Sequence, residues 1–203
     1  MIRIKVPDQP GTLGLIATAM GAIDADIAAV EIVEKGPDYA IDDFLVTLPP
    51  SALPDTLVST CDMLDGVTVL WVSRQPDNWG IESDIAALNR MAEDPDHAAE
   101  ILTEATPVVF RCQWAALFDA QRRVLTSTAL APEFTVEAIE RLGPIDHTGS
   151  RELAEGWMPG WGDTVVACAP LSAGRSLVLG RQGGPAFLAS ELNRLQHMAA
   201  LAN

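Results

Sequence analysis

Residues 1–20, MIRIKVPDQPGTLGLIATAM, change their periodicity halfway. Ile2, Ile4 and Val6 alternate with Arg3, Lys5 and Pro7, the two-residue repeat of a strand with one buried face. From Leu13 onward the apolar residues fall at Ile16, Ala17, Met20 and Ile23, the spacing of one face of a helix. Between the two runs stand Asp8, Gln9, Pro10, Gly11 and Thr12. Pro10 restricts φ near the helix start, Asp8 is placed to cap the helix or to complement its positive end, and Gly11 lets another group approach the backbone. The stretch predicts a strand feeding directly into an amphipathic helix through an open turn.

The next segment extends this pattern. Residues 26–50, DIAAVEIVEKGPDYAIDDFLVTLPP, hold two β-type runs separated by the turn residues Gly36, Pro37 and Asp38. Phe44, Val46 and Leu48 share one face of the second run. A helix follows Ser51 with Leu53, Leu57, Cys61 and Leu64 on one stripe, and residues 66–75, GVTVLWVSRQ, supply a last strand. The order is βαββαβ over residues 1–74, the ferredoxin-like arrangement in which two helices cover one face of a four-stranded antiparallel sheet. The other face is then expected to need a cover, from a second copy or from another domain.

Pro76, Asp77, Asn78 and Gly80 interrupt the periodicity, which places a linker at 75–83 and a second domain at 84–203. Ile85, Leu88 and Met91 predict a helix there, and Asp96 is the expected cap of another that contains Ile101, Leu102 and Ala105. Residues 108–119, VVFRCQWAALFD, and 122–130, RRVLTSTAL, predict strands around a turn at Ala120 and Gln121. Residues 133–143 predict a helix ended by Gly143, and 144–163 a long loop. A second hairpin, 164–171 with 175–182, turns at Ala173 and Gly174. Leu188, Leu192, Leu195 and Ala199 mark a closing helix. The fold class expected is therefore α+β in two domains, each with an antiparallel sheet.

Composition narrows the function classes. Thirteen Lys and Arg stand against 28 Asp and Glu, a net charge of -15 that repels nucleic acid and anionic lipid surfaces. With 48% hydrophobic and 20% charged residues the chain is expected to be globular, and no apolar run reaches the roughly 18 residues a membrane helix needs. The amino end carries no basic segment followed by an apolar stretch, so a cytoplasmic protein is expected. Cys61, Cys112 and Cys168 are far apart and form no C-x-x-C pair, which suits reduced, buried thiols.

Catalytic and cofactor signatures are sparse. His97, His147 and His197 are scattered, with no metal-ligand spacing around them, so no metal is expected. Gly11 and Gly14 do not make a phosphate-binding loop, and no cofactor is expected. Asp146, His147 and Ser150 are neighbours in sequence, but a catalytic triad requires convergence in space rather than adjacency. Cys112 and Cys168 lie in apolar surroundings that raise a thiol pKa, which argues against a cysteine-dependent reductase.

Taken together, the first strand, the segment Asp8-Gln9-Pro10-Gly11-Thr12-Leu13, the helix, the stretch Ala25 to Ile27 and the βαββαβ order resemble the ACT domain. That resemblance implies a dimeric regulatory module binding an amino acid near the first strand-to-helix loop at a subunit interface. Its implied site residues are Asp8, Gln9, Pro10, Gly11, Thr12, Leu13, Asp26 and Ile27, with Asp26 standing where many such domains have Asn. The element order of the second domain and its ending, SLVLGRQGGPAFLASELNRLQHMAALA, resemble a GAF domain. That likeness implies a small-ligand pocket or a dimerisation module, and Trp114, Phe118, Phe134, Trp157 and Trp161 are candidates either to line the pocket or to fill the core.

The function expected is a non-catalytic sensor, homodimeric, that binds an amino acid and signals to a separate effector protein through a change of conformation. The alternatives are an enzyme that uses a pocket in the second domain, and a dimeric scaffold without a small ligand.

Overall fold

In β1 (Ile2–Pro7) the predicted alternation is realised: Ile2, Ile4 and Val6 are buried in one core, under α1 (Thr12–Gly21), which contributes Ile16 and Met20. The computed structural model describes residues 1–73 and 81–203, and the chain divides into two units, Met1–Gln75 and Pro76–Asn203. The first continues with β2 (Asp26–Lys35), β3 (Tyr39–Thr47), α2 (Pro54–Asp62) and β4 (Thr68–Val72). The order is βαββαβ, and the strands lie β2-β3-β1-β4 with antiparallel neighbours. Phe44 joins the core from β3, and Leu57 and Cys61 join it from α2. Leu53 precedes α2 at its N-cap and is exposed, so the predicted stripe begins one turn later.

The opposite face of this sheet is not bare. Register puts Arg3 beside Asp43 and Trp71, and all three are buried. Arg3 donates to both carboxylate oxygens of Asp43 at 2.7 and 2.8 Å, and both side chains are 0% exposed. Edge strand β2 is different. It pairs only with β3, and Val30 and Ile32 stand 44% and 49% exposed.

Of the linker expected at 75–83, residues 75–80 lie outside the described residues, and Ile81 to Ser83 open a helix, α3 (Ile81–Glu93). A 3-10 turn, Pro95–His97, leads into α4 (Ala98–Val109). Asp96 is therefore inside that turn and does not cap α4, whose N-cap, His97, makes no side-chain cap bond. The strand expected from residue 108 starts later, as β5 (Trp114–Phe118), because Val108 and Val109 complete the helix. Next come β6 (Val124–Ser127), α5 (Val136–Arg141), β7 (Gly149–Glu152), β8 (Thr164–Pro170), β9 (Ser176–Gln182) and α6 (Ala189–Leu201). Strand β7 corrects the expectation of an unbroken loop over 144–163.

The five strands form one antiparallel sheet in the order β6-β5-β9-β8-β7. Alternation sorts its residues between two cores. Ala115, Leu117, Ala167 and Leu179 meet Leu102, Val109 and Leu195 of the helices on one side. Trp114, Phe118, Val166 and Cys168 meet Ala138, Leu142, Trp157 and Met158 on the other. Both faces are covered, which explains why β8 and β9 read as nearly continuous apolar runs. Among the described residues no helix is long and apolar enough to cross a membrane.

Candidate functional site

The turn between β1 and α1 follows from its residues. Gly11 is the N-cap at φ +96°, a conformation that side chains rarely adopt, and its missing Cβ would meet no atom within 4 Å. The N–H of Thr12 donates to the Gln9 carbonyl at 3.3 Å, and that of Gln9 to the Pro7 carbonyl at 2.9 Å. No side chain caps the helix. Asp8, expected as the cap, instead accepts from Lys35 Nζ at 3.1 Å through both oxygens. Leu15 N–H donates to the Gly11 carbonyl at 3.1 Å, and with no side-chain cap ahead of it this positive helix end favours an anion such as a carboxylate.

Asp8, Gln9, Pro10, Gly11 and Leu13 are exposed around this turn, and Thr12 is half-buried. Asp26 and Ile27 are elsewhere. Pro7 pairs with Tyr39 at one end of the sheet and Asp26 pairs with Thr47 at the other, so the length of β3 separates them. At about 3.3 Å per residue that is about 26 Å. One copy of the chain thus brings six of the eight expected residues together and leaves two apart.

Two residues the sequence reading did not single out bear on the turn, Lys35 beside it and Asp42 deeper in the sheet opposite Ile4. Lys35 ends β2 opposite Ala40, at the same end of the sheet as Pro7. Asp42 shares the helix-covered face with Ala40 and Phe44 and is 1% exposed, with no hydrogen-bond partner for Oδ1. Burial raises its pKa from the ordinary aspartate value, the charges of Asp43 and Asp8 add to that, and Lys35 opposes them. The signal was legible in IDDFL: two adjacent acids in an apolar strand cannot both point away from the core.

The five aromatic candidates of the second unit do converge, chiefly on one another. Trp114 lies 5.5 Å from Phe134, 6.4 Å from Trp157 and 6.5 Å from Trp161 between ring centroids, and Phe118 lies 5.2 Å from Phe134. They build a core, with the indole N–H groups of Trp114 and Trp157 buried and without acceptors.

The remaining chemical candidates stay apart. Asp146 and His147 are in contact at 3.1 Å, whereas the Ser150 hydroxyl accepts from the Phe187 N–H at 3.4 Å. Burial pushes the Cys112 thiol up to about 12, against the pull of Arg181, and raises that of Cys168 as well. Cys112 precedes β5 rather than lying within a strand, and its thiol faces the carbonyls of Thr106 and Trp114 at 3.7 and 3.4 Å. Burial, then Asp62, raises Cys61 to about 11. Among the described residues no group of three or more His, Cys, Asp or Glu could hold a metal ion.

No family model matches the chain. A short stretch is similar to NAD-dependent malic enzyme 1 of Bacillus subtilis (strain 168), with 45% identity over 40 residues. That stretch is 20% of this chain and 9% of the length of that enzyme.

Proposed function

We propose that the chain is a non-catalytic regulatory protein in which an ACT-like first unit binds an amino acid between two copies and a GAF-like second unit participates in the response. The observation that carries this reading is the uncapped start of α1 beside the Asp8–Lys35 pair, at the end of the sheet where the edge strand β2 finishes. The turn supplies N–H donors for a carboxylate and Asp8 supplies an acceptor for an ammonium group.

The separation of Asp26 from the turn fits an intersubunit site. If β2 pairs antiparallel with β2 of a second copy about a centre between Val30 and Glu31, Asp26 of one copy lies opposite Lys35 of the other. The same pairing satisfies the unpaired edge and covers Val30 and Ile32. For the second unit, the strand order β6-β5-β9-β8-β7, with helices on one face and α5 with the 144–163 segment on the other, supports the GAF-like reading.

The test combines ligand and assembly. The purified chain is screened for thermal stabilisation by each common amino acid, since a ligand bound only by the folded state raises its stability. The outcome is compared with that of Ile32→Lys, which places a charge on the β2 edge. A dimer by light scattering, a shift with one or a few amino acids, and loss of both in Ile32→Lys are expected. A monomer that still binds, or a dimer stabilised by no amino acid, would overturn the reading.

A further inference from the structure

A small cavity of about 280 Å³ lies in the second unit, where the turn between β5 and β6, the segment after α5 and the start of β9 meet. Ala120, Pro144 and Ile145 give it apolar walls, and Arg122, Asp146 and Ser176 give it polar ones. Its volume is just below the roughly 300 Å³ at which drug-sized sites begin, so it suits a ligand of a few non-hydrogen atoms.

Two donors on this cavity have no acceptor in the protein. Ser176, the first residue of β9, pairs with Phe118 and Pro170 and is 4% exposed. Its hydroxyl makes no hydrogen bond among the described residues, yet it is not closed to solvent as the indole N–H groups of Trp114 and Trp157 are, and its opening is the cavity it lines. A hydroxyl this deep ordinarily has a partner. Arg122 Nη2 donates to the carbonyls of Ile139 and Gly143, each at 2.7 Å, and Nε is shut in. Nη1 is the nitrogen left for the cavity: it neither bonds to the protein nor is closed to solvent. Among the described residues the guanidinium forms no ion pair, because the carboxylates nearby are turned elsewhere. Asp119 accepts from Arg123 at 2.7 Å and from the N–H groups of Gln121 and Arg123 at 2.9 and 2.8 Å. Asp146 is 86% exposed at the rim and takes its hydrogen bond from His147 at 3.1 Å.

We infer that this cavity binds a small monocarboxylate with a short aliphatic body, its carboxylate accepting from the Ser176 hydroxyl and from Arg122 Nη1 while Pro144 and Ile145 pack on the body. A guanidinium without a carboxylate partner and a hydroxyl without an acceptor both call for an anionic oxygen. The net charge of -15 works against anions at long range, and Asp146 stands at the rim, so a singly charged ligand is favoured over a multiply charged one. The site is independent of the amino-acid site proposed on the first unit: it requires no ammonium group and no second copy.

Propanoate, its neutral isostere propanamide, propylammonium and inorganic phosphate decide it, each titrated into the full chain at neutral pH and one ionic strength and followed by two-dimensional NMR. Propanoate should bind saturably and about tenfold more tightly than propanamide, the discrimination that one charge-assisted contact supplies, with shifts at Ala120, Ile145 and Ser176. Propylammonium and phosphate should leave those signals unmoved. Ser176→Ala should weaken propanoate about fivefold without lowering the urea midpoint, since the hydroxyl it removes has no partner in the protein. Arg122→Asn, a residue that accepts the φ of +61° found there, should abolish the preference for propanoate over propanamide, with folding checked by circular dichroism. No saturable binding of propanoate, equal binding of propanamide, phosphate bound at these residues as tightly as propanoate, propanoate shifts confined to the Asp8–Leu13 turn, or unchanged affinity in Ser176→Ala would each overturn the inference. The comparison of probes on the unaltered chain is decisive even if Arg122→Asn fails to fold.

Discussion

Strand β2 of the first unit and strand β8 of the second are both rich in Val and Ala, yet they have opposite settings. Strand β8 has a neighbour on each side and is buried from Thr164 to Ala169, because helices cover one face of its sheet and α5 with the following segment covers the other. Strand β2 has a neighbour on one side only and exposes Val30 and Ile32. An apolar run therefore means a finished core in one place and an unfinished surface in the other. Strand β8 finds a partner on each side and a cover on each face within its own unit, whereas β2 leaves ten residues of edge to be met from outside.

Breaking the finished sheet should cost the most. Arg181 is fully buried on β9 and donates to the carbonyls of Arg111, Phe110 and Pro185 at 3.1, 2.9 and 3.2 Å, and to Glu191 at 3.0 Å. Its guanidinium also lies 4.0 Å from the Phe187 ring centroid. It joins the end of α4, β9 and the start of α6. Arg181→Met would strip Glu191 of a charge partner in a buried setting, and a loss of about 3–5 kcal/mol in urea unfolding is expected. Amide exchange should rise in β8, β9 and α6 while β1 and β3 keep their protection. A loss below about 1 kcal/mol would show that the pair adds little to the second core.

Two glycines sharpen the contrast between the units. A Cβ on Gly180 would stand 2.0 Å from Trp114 Cε2, inside a fully buried ring that cannot swing away. Gly180→Ala should destabilise the chain by about 1–3 kcal/mol through overpacking. At Gly11 there is room, but φ of +96° is strained for any side chain, so Gly11→Ala should cost about 1–2 kcal/mol by conformation alone. Near-UV circular dichroism separates the causes: the tryptophan signal should change in the first variant and persist in the second.

How much of this was legible depended on whether a residue's pattern or its tertiary partner decided the outcome. The βαββαβ order was readable because β1, α1 and α2 carry clean two-residue and helical repeats. Strand β7, GSRE, has no apolar repeat to announce it, and it exists because β8 offers an edge to pair with. Val108 and Val109 look like strand residues, yet α4 runs on past Pro107 because Thr106 and Val109 face its core. At the turn, glycine and proline chemistry marked Asp8 to Leu13, but only register shows that Lys35 joins them and that Asp26 lies at the far end.

The smallest effect expected concerns Asp42, whose setting differs from that of its neighbour Asp43. Asp43 and Glu191 each have an arginine partner, whereas Asp42 Oδ1 has no donor. Its pKa is raised in the folded chain by burial first and by the Asp43 and Asp8 charges next. A carboxyl whose folded pKa lies above its unfolded value holds its proton longer in the folded state. Its contribution to stability is present in full below the unfolded pKa, roughly 4, and is lost as pH rises through the folded value. At neutral pH the charged Asp42 therefore weakens the first unit. Asp42→Asn removes that charge while keeping the shape, so the variant should unfold at a higher urea concentration than the unaltered chain at pH 7. The advantage should shrink as pH falls through the carboxylate range, where the unaltered side chain becomes neutral too. A pH series of urea midpoints checks this. A lower midpoint for Asp42→Asn at pH 7 would mean that the carboxylate has a favourable partner in solution, as Asp43 has in Arg3.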